Sequence, residues 1–253
     1  MNTFSALLRD WRKTRRYSQL DLAMAADVSA RHLSFLETGR SRPSVGMIQR
    51  LGEVLQLPLD AQNRLLTAAG FAPRYAATPL DAAEMAPVTQ AVRWMLDRHA
   101  PYPALALDQL WNVQMMNAPA RLLFAPFDLT EGGSLLELTT SPLMPRVVEN
   151  WPEVAYHSAV RLRAESAAAG GIAVLDAAAD RLAQDADPGI TISGPTIPTI
   201  FRMGDQRLSL FGTIAQFSTA ADETLSDLRI ELFFPADDDT GAVLQQLAGD
   251  ACD

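Results

Sequence analysis

The sequence predicts two domains: an all-α unit of five helices, then an α+β unit with a mostly antiparallel five-stranded sheet. Three observations favour this division. The apolar residues of the first 75 positions recur only at helical spacing. The charge then reverses, since residues 1–75 carry eleven Lys and Arg against six Asp and Glu, whereas residues 76–253 carry ten against twenty-four. A Pro- and Ala-rich stretch separates the two. We therefore predict domains at 1–73 and 88–253, joined by a linker at 74–87.

Composition excludes several classes of protein. No run of 18 apolar residues is present, so we expect no membrane partner. The single cysteine, Cys252, cannot form a disulfide within the chain, which favours the reducing cytoplasm. Nucleophile-elbow, phosphate-loop and His/Cys metal spacings are missing, so we predict no catalytic residue, no metal and no cofactor.

The first domain shows ordered helix boundaries. Ser18 and Asp21 form a capping-box pattern, Ser29 precedes another short helix, and Gly39 ends it where a left-handed residue is needed. Asp60 is expected to cap the last helix. The five predicted helices span about residues 3–15, 19–26, 30–37, 44–57 and 61–70.

The second and third helices, joined by a short turn, are typical of a helix-turn-helix. At 100° per residue, Leu33 and Leu36 face the core. The opposite face carries a guanidinium, a hydroxyl, a methyl and a ring, groups that can bond guanine or contact a thymine methyl. These residues are Ala30, Arg31, Ser34 and Phe35. The pattern predicts double-stranded DNA as a partner.

Three consecutive stretches carry a family resemblance: SQLDLA, VSARHLSFLETGRSRPS and LGEVLQLPLDAQNRLLTAAGFAP. Together they resemble the five-helix, lambda-repressor-like DNA-binding domain of XRE-type bacterial regulators, and in particular the MmyB-like group. The resemblance covers about residues 5–75 without a gap.

The resemblance implies roles for the matched positions. The outer face of residues 30–35 would enter the major groove. Arg12 and Glu37 would form an internal salt bridge. Phosphate contacts would come from the start of the second helix and from the loop after the third, at Ser18, Gln19, Arg40, Ser41 and Arg42.

The second domain begins with a helix at PVTQAVRWMLDRH. Asn117 is expected to cap a helix with Pro119 in its first turn. Two further helices are predicted at 145–168 and 172–184. The predicted strands are 104–107 and 111–116, followed by strands within 196–204, 206–217 and 225–235.

This order of elements resembles a PAS-like sensor. The stretches ALDQLWNVQMMNAPARLLF, PRVVENWPEVAYHSAVRLRAE and DLRIELFFPADDDTGAVL resemble the MmyB-like ligand-binding domain. The resemblance implies a small, largely apolar effector, such as a fatty acid or another apolar acid, and regulation of genes as the output.

Ligand pockets combine aromatic side chains with a few polar anchors. Three of the four tryptophans fall in the second domain, and an arginine on a helix there could clamp a carboxylate. The candidate ligand-binding residues are Trp94, Trp111, Asn117, Arg146, Asn150, Trp151, His157 and Arg161. The alternative is that the tryptophans belong to the core and the polar groups are caps or surface.

Three functions remain open at this point. The first is a DNA-binding transcriptional regulator switched by a small molecule. The second is a regulator whose second domain serves only dimerisation or protein recruitment. The third is an enzyme fused to a DNA-binding domain. In each case we expect a homodimer, since one recognition helix reads only a few base pairs.

Overall fold

The structure, a computed structural model, describes residues 3–187, 189, 195–204 and 206–250, so Cys252 lies outside the described residues. The chain forms two compact units. The first comprises Met1–Ala77, Glu165–Ile172 and Thr219–Ser226, and the second comprises Thr78–Ala164, Ala173–Ser218 and Asp227–Asp253. Of the helices that the structure describes, none has the length and apolar character needed to cross a membrane.

The first unit contains the five expected helices. They are α1 (Phe4–Thr14), α2 (Gln19–Ala25), α3 (Ala30–Glu37), α4 (Val45–Val54) and α5 (Leu59–Ala68). The capping box at α2 is present, because the Asp21 amide donates to Ser18 Oγ at 3.0 Å and the Ser18 amide donates to Asp21 Oδ2 at 3.3 Å. The Ser29 side chain caps α3 by accepting from the His32 amide, and the Ser44 side chain caps α4 by accepting from the Met47 amide.

The predicted cap of α5 was wrong. Pro58 occupies the N-cap position, and Asp60 lies inside the first turn, where its carboxylate pairs with Arg64 at 3.0 Å. Proline needs no amide partner and already has a backbone angle suited to a helix start, so the helix begins before the acid. The helices bury a common core, with Leu8, Leu22 and Leu33 fully enclosed.

The remainder of the chain contains both helices and strands. The helices are α6 (Ala86–Arg98), α7 (Ala118–Phe124), α8 (Leu135–Thr139), α9 (Met144–Val147), α10 (Trp151–Ala168), α11 (Ala173–Leu182), α12 (Glu223–Asp227) and α13 (Asp238–Asp250), with 3-10 turns at Ala83–Met85 and Ala125–Phe127. The strands are β1 (Ala104–Leu107), β2 (Val113–Met116), β3 (Thr199–Met203), β4 (Gln206–Gln216) and β5 (Arg229–Pro235).

The described strands form one sheet in the order β2-β1-β5-β4-β3. Every pairing is antiparallel, which confirms the predicted α+β class. The central strand β5 joins two hairpins that are far apart in sequence. The side chains on the two faces of β5 can therefore contact helices from both the N-terminal and the C-terminal half of the second unit.

The single helix predicted at 145–168 was wrong, because the chain leaves helical geometry between α9 and α10. Val148 is extended, with φ −103° and ψ 117°, and bridges Phe201 of β3. The Glu149 amide donates to the Ile200 carbonyl at 2.8 Å. Here the backbone is hydrogen-bonded to the edge strand β3 and not to the preceding helical turn. The helix restarts at Trp151, with Pro152 in its first turn, where the missing amide costs nothing.

The second predicted strand was two residues too long at its start. Trp111 has a left-handed backbone, with φ 65°, and lies in a turn instead. Both oxygens of Asp108 hold this turn: Oδ1 accepts from the Leu110 and Asn112 amides, each at 2.9 Å, and Oδ2 accepts from Asn112 Nδ2 at 2.9 Å. A side chain that satisfies nearby backbone donors competes with strand pairing, so β2 begins only at Val113.

Candidate DNA-reading surface and ligand cavity

The outer face of α3 is open to solvent. Leu33 and Leu36 are 0% exposed, as their angular positions predicted, and they anchor the helix to the core. Ala30 and Arg31 lie exposed on the other side. The two further residues of this face, Ser34 and Phe35, are partly exposed.

Arg31 and Phe35 make one combined surface. The guanidinium carbon of Arg31 lies 5.3 Å from the ring centroid of Phe35, within the range of a cation–π contact. The ring supports the guanidinium at the solvent-facing side of α3. This arrangement presents several donors together with an apolar edge, the combination that major-groove recognition uses.

The loop after α3 turns back on the helix. Gly39 has φ 73°, and the Arg40 and Ser41 amides both donate to the Phe35 carbonyl, at 2.9 and 3.2 Å. Arg40 and Arg42 are exposed and Ser41 is partly exposed. The ion pairs found among the described residues include neither these two arginines nor Arg31. The positive charges next to the reading face are thus available to phosphates.

Glu37, the acid at the end of α3, is only 2% exposed. Its carboxylate accepts from Arg12 Nε at 2.5 Å, from Arg12 Nη2 at 3.0 Å and from Gln19 Nε2 at 2.7 Å. Burial alone raises the pKa of Glu37, but the hydrogen bonds from Arg12 and Gln19 outweigh burial and hold that pKa below its ordinary value. The hydrogen bond to Glu37 raises the pKa of Arg12. The carboxylate therefore stays ionised, paired and turned away from the reading face.

The residues proposed for phosphate contacts on α2 are already partly engaged. Ser18 is exposed and caps the helix. Gln19 is half-buried, and its bond to Glu37 uses one of the two amide N–H groups. A phosphate contact by Gln19 remains a prediction, and it would depend on the second N–H.

The second unit contains a cavity of about 130 Å³ between its sheet and helices. Eleven of the sixteen residues that line it are apolar or aromatic. The aromatic members come from loops, helices and two strands, and they are Trp111, Phe124, Phe127, Trp151, Phe201 and Phe233. A cavity of this kind suits an apolar molecule.

A single pair of opposite charges contributes to this lining. Arg161 of α10 donates a hydrogen bond to Glu231 of β5. Glu231 is only 5% exposed. The guanidinium carbon also lies 4.4 Å from the ring centroid of Trp111. Arg161 is thus fixed between a carboxylate and an indole, and its charge is compensated by the protein itself.

Three of the eight candidate ligand-binding residues line the cavity: Trp111, Trp151 and Arg161. The Trp151 indole Nε1 also donates to Asp185 Oδ2 at 3.1 Å, which fixes its ring. Trp94 has a different environment, because it is 60% exposed on α6 with Arg98 5.6 Å above its ring.

The other four candidates do not line the cavity. Arg146 is exposed on α9, one helix before Trp151 rather than on the same helix, and His157 packs edge-on to Tyr156 at 5.1 Å. Asn117 is 1% exposed and Asn150 is half-buried, and both bond neighbouring backbone. Asn150 Oδ1 accepts from the Ile200 amide at 3.1 Å, and its Nδ2 donates to the Pro198 carbonyl at 2.8 Å, so this side chain holds the start of β3.

Sequence reasoning missed Glu231 and the phenylalanines. A usable signal was present in RIELFFP, because alternate residues of a strand share a face and this places Glu231 beside Phe233. An acid within an apolar strand requires a buried partner, and Arg161 supplies it. Within the described ranges, no group of three or more His, Cys, Asp or Glu side chains is placed to hold a metal ion.

Comparison with known proteins agrees with both sites. A helix-turn-helix family model matches residues 8–62. The chain is 41% identical over 64 residues to proteins named as uncharacterized HTH-type transcriptional regulators from Mycobacterium bovis and two strains of Mycobacterium tuberculosis. The match covers 25% of this chain and 25% of each relative.

The second unit has a match of its own. The family model described as the MmyB-like transcription regulator ligand binding domain matches residues 88–247, more than half of the chain. With its helix-turn-helix match and this ligand-binding domain, the chain belongs to the MmyB-like transcription regulators.

Proposed function

We propose that this protein binds a specific duplex site as a homodimer in the cytoplasm, and that a small, largely apolar molecule in the second unit alters that binding. A fatty acid or another apolar acid is one candidate for the effector. The matched families are those of regulators rather than enzymes, so we propose that the effector is bound and not converted.

The DNA half of the proposal rests on the exposed face of α3 and the loop that follows it. Arg31 is directed to solvent over Phe35, and the arginines at 40 and 42 flank it without a partner carboxylate among the described ion pairs. One such helix reads only a few base pairs. Two copies related by a two-fold axis would read half-sites about 34–36 Å apart.

The effector half is carried by one observation, the aromatic cavity that includes Arg161 and Glu231. Protein interiors are close-packed, and an empty space larger than a few water molecules costs stability. A domain that served only dimerisation would have no use for it. The six aromatic rings and the pairing of Arg161 with the buried Glu231 favour a site that a ligand fills.

The test uses the full-length protein and a duplex selected from a random pool. Thermal stabilisation is measured against fatty acids, aromatic acids, alcohols and amides, and each stabilising compound is then titrated into the protein–DNA complex. We expect at least one compound to raise the melting temperature and to change the Kd for DNA. Ser158 lines the cavity on α10, so Ser158→Phe should fill it and abolish both effects.

Two results would contradict the proposal. If no compound stabilised the wild-type protein, the second unit would be a dimerisation or recruitment domain. If mass spectrometry recovered a converted compound, the second unit would be an enzyme. Analytical ultracentrifugation of the free protein tests the homodimer independently.

A further inference from the structure

The charge pair in the cavity says more about the ligand than its apolar lining does. We infer that the cavity selects an uncharged, ring-sized molecule whose O–H or N–H group donates to Glu231, and that it discriminates against carboxylates, free fatty acids included. This inference rests on the proposed function, since it specifies the chemical class of the effector.

The first reason is charge. An arginine in a cavity would ordinarily attract an anion. Here Arg161 already bonds Glu231, and these are the charged residues of the lining, so the lining as a whole is neutral. A bound carboxylate would add a second negative charge close to the buried carboxylate of Glu231, and like charges repel.

The second reason is hydrogen-bonding capacity. An ionised carboxylate can accept at about four lone-pair positions, and Arg161 bonds one oxygen of Glu231, Oε1. A ligand hydroxyl or amide N–H can therefore donate to the same carboxylate without displacing the arginine. A carboxylate ligand carries no proton to donate at neutral pH, so it cannot make this bond.

The third reason is size. A cavity of about 130 Å³ is close to the roughly 150 Å³ of an engineered apolar cavity that binds benzene. Sites for larger ligands occupy about 300–1,000 Å³. The aromatic walls formed by Trp111, Phe201 and Phe233 suit a single ring better than a long chain.

Three probes of nearly equal size isolate the polar group: benzyl alcohol, toluene and benzoate. Their binding to the full-length protein is measured at pH 7 by titration calorimetry and by fluorescence of the cavity tryptophans. We expect benzyl alcohol to bind at least tenfold more tightly than benzoate, with toluene between them. Ser158→Phe should weaken all three, which locates the binding in this cavity.

A charge variant provides the sharper result. Glu231→Gln removes the carboxylate but keeps a side chain of the same size, so the lining changes from neutral to a net charge of +1 and repels an anion less. We expect the preference for benzyl alcohol over benzoate to fall at least tenfold. Glu137→Gln is the matched control, since Glu137 is exposed on α8 and does not line the cavity.

The outcomes separate this inference from the proposed function. Equal or tighter binding of benzoate by the wild-type protein would overturn the inference and leave an effector site in place. Binding of none of the three probes would also overturn it, provided that a compound of the broader panel stabilises the protein. Failure of every compound would overturn both. If Glu231→Gln did not fold, the wild-type ranking alone would decide.

Discussion

At the scale of single residues, charge and burial divide the groups near α3 into two sets. Glu37 is enclosed and bonded by Arg12 and Gln19, whereas Arg31 and Arg42 are exposed. A buried charge must be paired to be tolerated, so the acid nearest the reading face is directed inward. The exposed arginines are therefore left without a competing carboxylate from Glu37.

Arg31→Ala should weaken binding to the selected duplex by about 5- to 150-fold for each half-site and relax base preference, because it removes from each copy of the dimer a base contact worth about 1–3 kcal/mol. Arg42→Ala should weaken binding to all sequences alike. Fluorescence anisotropy on specific and scrambled duplexes measures both. Arg64→Ala, an exposed arginine of α5, is the control and should match wild type. Unchanged affinity and preference in Arg31→Ala would show that α3 does not read the bases.

Glu37→Gln should destabilise the first unit at pH 7 by about 3 kcal/mol, because Arg12 loses its buried partner. The folded pKa of Glu37 lies below its ordinary value of 4.5, so the contribution is present above pH 4.5 and is lost as the pH falls through the folded pKa. Thermal melts at pH 7 and at pH 3 should therefore show a difference between wild type and variant that shrinks in acid. A difference independent of pH would contradict the assignment. Exposed Glu53→Gln on α4 is the control.

At the scale of elements, side chains that bond backbone decide where helices and strands begin. Asp108 holds the turn before β2, Asn150 holds the start of β3, and Asn117 caps α7. The sequence shows the polar residue in each case but not its distant partner. Asn117 was predicted as a ligand residue for this reason, and its position among buried backbone groups favours the alternative of a structural cap.

Asn117→Ala tests that reading. The side chain accepts from the Ala104 and Ala120 amides and donates to the Leu96 and Tyr102 carbonyls, each at 2.9 Å. Removing it leaves buried backbone groups unpaired and should cost roughly 3 kcal/mol of stability. Thermal melts measure the loss, and exposed Gln184→Ala is the control. The folded variant should bind the effector as wild type does. A selective loss of ligand affinity would instead make Asn117 a ligand residue.

At the scale of the whole molecule, the net charge of −9 is the sum of two opposite parts. Residues 1–75 carry a net +5, and the acidic residues predominate from 76 onward. An acidic surface discourages non-specific contact with DNA, so under the proposed function the face of α3 would carry the binding. This separation agrees with a protein that reads DNA with one unit and senses a molecule with the other.

Salt dependence measures how much of the binding is electrostatic. Two phosphate-binding arginines per copy, Arg40 and Arg42, give about four in a dimer, so the slope of log Kobs against log salt should be about −4. Arg42→Ala should make the slope shallower by about 2 in a dimer. Anisotropy titrations between 50 and 300 mM salt supply both values. A slope unaffected by Arg42→Ala would place the phosphate contacts elsewhere.

The sequence alone predicted the elements of the first unit more completely than those of the second. Local signals specified most of the first unit, because α2, α3 and α4 each begin at a serine cap and the inward face of α3 follows from a 100° periodicity. The sequence did not predict helix α13 or the break before α10. The break depends on a hydrogen bond from the Glu149 amide to the Ile200 carbonyl, 51 residues away in sequence.

The sequence by itself determined the class of the protein, its helix-turn-helix and the presence of a five-stranded sheet, because these depend on periodicity and on neighbours within a few residues. Only the tertiary structure decided whether the lining of the candidate ligand site carries a net charge. Arg161 and Glu231 are separated by 70 residues and meet because α10 packs on β5. That contact turns an arginine that suggested an anion site into half of a neutral pair, and no local pattern contains this information.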